Sequence, residues 1–188
     1  MTKLYAFVLV PVFLALTAAT AWGQTSGGPE TVVVHGGSAT LHAMLWRPKG
    51  RGPFPGILLN HGRGRTREDL ERLGPYEQNA EKLGPVFARH DYVFLYLFRR
   101  GVGLSTDQGA NAVDLMNSES ATHGQEACNA LQLQLLDSRE MDDVLSGLKF
   151  LRALPCVDAR NVAVIGHSRQ PPTTRMETEP LPKLASCK

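Results

Sequence analysis

The chain has 188 residues, 43% of them apolar and 20% charged, with a formal net charge of +2. That is an ordinary soluble globular chain with one domain, and the charge is too small and its Lys and Arg too scattered for a nucleic-acid partner. The three cysteines, Cys128, Cys156 and Cys187, lie at no ligand spacing and make neither a disulfide framework nor a zinc site. A single Cys128–Cys156 bridge and unpaired buried thiols both stay open.

The amino end carries an address. Lys3 precedes an apolar run, Leu4 to Leu16, and then small residues from Ala18 to Gly23. A positive start, an apolar core and an A-x-A-like end read as a secretory signal peptide over residues 1–23, cut after Ala21 or Gly23. The competing reading is an uncleaved anchor, since Leu4–Ala21 almost spans a bilayer of ~30 Å. Pro11 and the small-residue end favour cleavage. The mature chain is then expected to be secreted or periplasmic, with no stable membrane span.

Residues 24–30 are polar and glycine-rich and read as a linker. Thr31–His35 and Ala39–Arg47, separated by Gly36-Gly37-Ser38, form the pattern of an antiparallel hairpin. Gly56–Asn60 is a short continuous apolar strand of the kind buried on both faces, and it ends in His61-Gly62-Arg63-Gly64. Thr66–His90 has helical character broken at Gly74-Pro75 and Gly84-Pro85, with Leu83, Val86 and Phe87 on its last apolar face. Tyr92–Phe98 is the most apolar strand and is expected at the centre of the sheet.

Gly103–Gln125 is polar and irregular. Ala127–Leu136 and Asp137–Leu154 read as helices. In the second, Met141, Val144, Leu145, Leu148 and Leu151 form one core-facing stripe. Asp137 and Glu140 have the spacing of a capping box, and Asp142-Asp143 fall on the solvated face. Asp158–Asn161 then turns the chain into the strand Val162–Ile165. The order of hairpin, strand, helix, strand, helix, strand gives an α/β sheet with crossover helices.

Four stretches carry chemistry: I-L-L-N-H-G-R-G at 57–64, F-R-R-G-V-G-L-S at 98–105, the helix before residue 157, and V-A-V-I-G-H-S at 162–168. In that order, on those elements, they resemble the N-terminal portion of an α/β-hydrolase, in its dienelactone-hydrolase and prolyl-oligopeptidase-like branch. The likeness covers residues 31–168. It implies a partial α/β-hydrolase fold: an N-terminal hairpin, then a mostly parallel sheet with crossover helices.

The resemblance also implies roles. Ser168 is the nucleophile, on the sharp strand-to-helix elbow begun by Gly166 and His167, with His167 turned away from it. A serine hydroxyl needs an adjacent base to attack a carbonyl. The oxyanion needs convergent backbone N–H groups, here one from Arg169 and one from the loop around Gly62 and Arg63. The substrate would be a small carboxylic ester or a peptide, with no cofactor and no metal. Arg99 and Arg100 close a central strand where α/β sheets bind ligands, with structural pairing to carboxylates the favoured role.

Departures from the pattern set the alternative. The second elbow glycine is replaced by Gln170. After Ser168 there is no histidine and no aspartate; the acids there are Glu177 and Glu179. Residues 169–188 hold four prolines without apolar periodicity, and read as a disordered tail. His61 is the upstream candidate for a substitute base. The expectation is a truncated or frame-shifted hydrolase, inactive by itself, or a pseudoenzyme with at most a binding role. Its strand before Ser168 would keep an unpaired apolar edge prone to aggregation.

Overall fold

A computed structural model describes residues 28–63, 71 and 75–166. The signal peptide, most of the linker, Gly64, His167, Ser168, Arg169 and the tail lie outside the described residues. Strand β1, Glu30–Gly36, and strand β2, Ala39–Trp46, pair antiparallel around Gly37-Ser38. The hairpin begins one residue before the expected start, because Glu30 already pairs with Leu45. Strand β3 is Phe54–Asn60, helix α1 Tyr76–Arg89 and strand β4 Val93–Phe98. Helix α2 (Ala112–Leu135), a π turn (Leu136–Glu140) and helix α3 (Met141–Ala153) lead to strand β5, Val157–Gly166.

The sheet order is β1-β2-β4-β3-β5, antiparallel as far as β4 and parallel from β4 through β3 to β5. The chain steps from β3 to β4 in one direction and returns past β3 to β5 in the other. Right-handed crossovers run in opposite directions put their helices on opposite faces. The side chains agree. Val93, Leu95 and Leu97 of β4 join Val144 and Leu151 of α3 in one cluster. Phe94, Tyr96 and Phe98 join Tyr76 and Ala80 of α1 in another. All six β4 residues are buried, so the strand lacks polar alternation because it has no wet face. The strand expected at Tyr92–Phe98 is central, as its composition implied, but begins at Val93, with Tyr92 exposed before it.

Helix α1 runs through Gly84-Pro85 instead of breaking there. Its buried face is Tyr76, Ala80 and Gly84, with Phe87 stacked on Phe94 at 4.6 Å between ring centroids. Leu83 and Val86, expected on that face, are exposed. Gly84 is fixed by contact: a Cβ there would lie 2.1 Å from Cδ2 of the buried Trp46. Gly84→Ala gains about 1 kcal/mol of helix propensity but overpacks the ring at a cost of about 1–3 kcal/mol. The expected net result is a lower denaturant midpoint with an unchanged slope, by about 1 kcal/mol.

The stretch expected to be irregular is mostly helical. Asn111 caps α2, its side-chain oxygen accepting from Val113 N at 2.8 Å, and this cap with Val113 and Met116 one turn apart was the missed start signal. At Gly124, φ is +87° and the helix is interrupted. On a straight helix Val113 and Leu135 would stand about 33 Å apart, yet they share one cluster with Met116 and Leu131. Residues 112–135 therefore fold back as a helical hairpin. Cys128 packs in this hairpin and Cys156 follows α3; both are free, half-buried thiols, and no Cys128–Cys156 bridge forms.

The turn expected at Asp158–Asn161 lies inside β5 as a bulge, where pairing with β3 jumps from Phe54–Val157 to Gly56–Val162. Asp158 holds it, accepting from Arg160 N at 3.0 Å and from Asn161 Nδ2 at 2.7 Å. Among the described residues β5 ends the sheet, with Ile165 exposed.

Candidate functional site

The parallel register brings three strand ends together. Asn60, the last residue of β3, pairs with Leu97 of β4 on one side and Gly166 of β5 on the other. The described loops 61–63 and 99–103 therefore share one edge with the end of β5 at Gly166. Helix α1, which follows β3, packs on one face of the sheet and α3, which follows β4, on the other. The carboxyl ends of adjacent strands whose connections part in this way are the usual ligand position in such sheets.

Of the expected site residues, the structure gathers His61, Gly62 and Arg63 beside Gly166. His61 and Gly62 are buried. The His61 ring lies against Tyr76 and Tyr96, at 4.6 and 6.1 Å between centroids. Its Nε2 faces the backbone N–H of Arg99 at 3.4 Å, and its Nδ1 lies 2.9 Å from Gly62 O. A backbone N–H can only donate and a carbonyl only accept, so the shorter contact assigns the proton of the neutral ring to Nδ1, with Arg99 Nη2 a further 3.5 Å from the same nitrogen. Burial, reinforced by the Arg99 charge, lowers its pKa from 6.5 to about 3.

Two buried carboxylates organise the arginines. Glu140 accepts from Arg63 Nη1 at 2.8 Å and lies 3.2 Å from Arg99 Nη1, the three side chains being only 5 to 7% exposed. Arg99 Nη2 donates to His61 O at 2.8 Å. Asp143 accepts from Arg100 at its backbone N, Nε and Nη2, at 3.0, 2.9 and 2.5 Å. Arg99 and Arg100 thus pair with carboxylates, the favoured role for them. Burial lowers the pKa of Arg63, partly opposed by Glu140.

These two acids correct the sequence reading. Glu140 ends a π turn and caps nothing; Asp143 faces the sheet, and of the Asp142-Asp143 pair only Asp142 is solvated. Positions 140, 143, 144, 147 and 151 are all buried at three- and four-residue spacing. The acids continue the apolar stripe of α3, and two arginines ending a buried strand needed partners there. That was the available signal.

The motif residue Ser105 is structural. Its hydroxyl donates to Phe98 O and accepts from His42 N, each at 2.8 Å, tying the β4 end to β2. Gly101 has φ +77°, and a Cβ on it would sit 2.7 Å from the backbone of Asn111. Among the described residues no group of three His, Cys, Asp or Glu side chains could hold a metal ion, and no helix is long and apolar enough to cross a membrane.

No family model and no curated protein sequence matches the chain. Among solved structures it is similar to an esterase of Thermogutta terrifontis, at 17% identity and a TM-score of 0.47, over 75% of this chain and 40% of that one. It is also similar to a thermostable carboxylesterase cloned from a metagenomic library, at 15% identity and a TM-score of 0.46, over 74% of this chain and 36% of that one. A third is the acylaminoacyl peptidase of Pyrococcus horikoshii, at 17% and 0.40, over 73% and 18%. The chain spans less than half the length of each. Its class rests on its own sheet: an antiparallel hairpin, a parallel continuation and crossover helices on both faces make a mixed α/β sheet, as expected from the order of its elements.

Proposed function

We propose that the chain is the nucleophile-bearing portion of a secreted or periplasmic serine hydrolase of the dienelactone-hydrolase and prolyl-oligopeptidase-like branch, acting on carboxylic esters or peptides. The observation that carries this is the Asn60–Gly166 pairing. It sets the end of the strand leading to Ser168 beside the buried His61-Gly62-Arg63 loop. In this reading the Ser168 hydroxyl attacks the acyl carbonyl, and the oxyanion accepts from the backbone N–H of Arg169 and from the Gly62-Arg63 loop.

Among the described residues the histidine beside this loop is His61. His61 fills the role of loop anchor, because its Nε2 lone pair is taken by Arg99 N–H and a pKa of about 3 makes a poor proton acceptor near neutrality. With His61 engaged in this way, the 188-residue chain assayed alone is expected to show no hydrolysis and to retain at most a binding role. The test is labelling by a fluorophosphonate and turnover of a nitrophenyl ester, each with and without free imidazole to stand in for the base. The expected result is no labelling by the chain alone, and labelling with imidazole that Ser168→Ala abolishes. Ser168-dependent labelling without imidazole overturns the inactive reading. No labelling under either condition, in a chain shown folded by circular dichroism, sinks the hydrolase reading and leaves the binding remnant.

A further inference from the structure

We infer that Glu140 is a positioning residue for the oxyanion loop, holding both ends of His61-Gly62-Arg63 with one buried carboxylate. The inference rests on the hydrolase reading for its purpose, though not for its geometry. At the far end of the loop, Oε1 accepts directly from Arg63 Nη1 at 2.8 Å. At the near end the hold is indirect: Oε2 lies 3.2 Å from Arg99 Nη1, and the same guanidinium donates through Nη2 to His61 O at 2.8 Å. Gly62 lies between two fixed points. Its own carbonyl is engaged by His61 Nδ1 at 2.9 Å, which restrains the peptide plane that presents the next amide.

The position of Glu140 is also specified. It is the last residue of the π turn joining the α2 hairpin to α3, and such widened turns recur at functional sites. Asp143 locks the following turn to Arg100, and Arg139 Nη2 donates to Ala110 O at 2.9 Å at the base of the hairpin. The carboxylate therefore projects from a backbone anchored on both sides. Oxyanion donors act by being aimed before the reaction begins, and removing one costs on the order of a hundredfold or more in rate. Holding their loop is a use for a charge that is otherwise expensive to bury.

The test is site-resolved backbone 15N relaxation on the full chain, which needs no activity. In the unaltered protein the Gly62 and Arg63 amides should be as rigid as their β3 neighbours, with order parameters of about 0.85; values below about 0.6 overturn the proposal. Glu140→Asp keeps the charge but withdraws the carboxylate by about 1.5 Å, so it cannot serve both arginines. Arg63→Met releases the far end and leaves Arg99 beside Glu140, and is the second variant should Glu140→Asp fail to fold. In each folded variant the order parameters at 62 and 63 should fall below about 0.6, with β1 and β2 amides unchanged. Unchanged order parameters at 62 and 63 in the folded variants overturn the proposal. Imidazole-assisted labelling of Ser168 should slow in parallel. If the order parameters respond as expected but no variant labels, the clamp stands and the hydrolase reading falls.

Discussion

Asp143→Ala is expected to destabilise the fold by about 3–5 kcal/mol, the usual cost of breaking a buried ion pair by removing one partner. Asp143 is 1% exposed, and its two oxygens receive a backbone N–H and two guanidinium donors, all from Arg100. Alanine leaves that N–H and most of that charge without a partner in a largely buried site, where the Arg100 side chain is 12% exposed and keeps only its Nη1 bond to Ser38 Oγ at 3.2 Å. The damage is topological as well. Arg100 opens the crossover from β4, and Asp143 sits on the helix that covers the sheet, so the pair fixes where the chain leaves the edge. Asp142, its neighbour, is exposed, and Asp142→Ala should stay within about 0.5 kcal/mol. Urea titrations of the two variants compare the adjacent acids directly. Equal midpoints would show that the Arg100 pair contributes no more than a surface charge. The double change Arg100→Met with Asp143→Leu should recover much of the loss, because an apolar pair of similar volume has no charge to desolvate.

The same pair shows where the sequence could be read and where it could not. Elements whose residues report their own environment were legible: β4 is apolar at every position because both faces are covered, and β1 and β2 show the hairpin through Gly37-Ser38. Gly166 following Val162–Ile165 marked the strand end, and the parallel register put it beside His61. What failed was partner-dependent. Asp142 and Asp143 look alike in sequence, and only the phase of the α3 stripe sends one inward. Glu140 matched a capping box because spacing cannot distinguish a carboxylate that reaches back to its own helix from one that reaches Arg63. Gly84-Pro85 looked like a break until Trp46, far away in the chain, explained the glycine. The Ala112 helix was missed because its apolar residues pack on each other across Gly124, so no long stripe marks a face toward the sheet. His61 was visible as a loop histidine, but its protonation depends on Arg99 and two tyrosines that only the fold assembles.

That protonation gives the largest expected pH effect. His61 is neutral in the folded chain, with a pKa of about 3 against an ordinary 6.5. Burial is the main cause and the Arg99 guanidinium the second. Above pH 6.5 the ring is neutral in both folded and unfolded chains, and its contribution to stability does not vary with pH. Below pH 6.5 the unfolded ring takes up a proton that the folded ring refuses, so stability falls as pH falls, and the loss is complete near pH 3. The sign follows from linkage: the unfolded state binds more protons throughout this window. The gap between the two values corresponds to about 5 kcal/mol at the acid limit, comparable with the whole stability of a small domain. Carboxylates titrate in the lower part of the same window, so the measurement is a difference. His61→Gln keeps one donor for Gly62 O and one acceptor for Arg99 N–H but cannot titrate. Denaturant unfolding of both proteins from pH 7.5 to 4 should show the unaltered chain losing about 1.4 kcal/mol per pH unit more than the variant once below pH 6. Parallel curves would mean that His61 takes up a proton in the folded chain as readily as in the unfolded one, and that the ring is open enough to serve as a base after all.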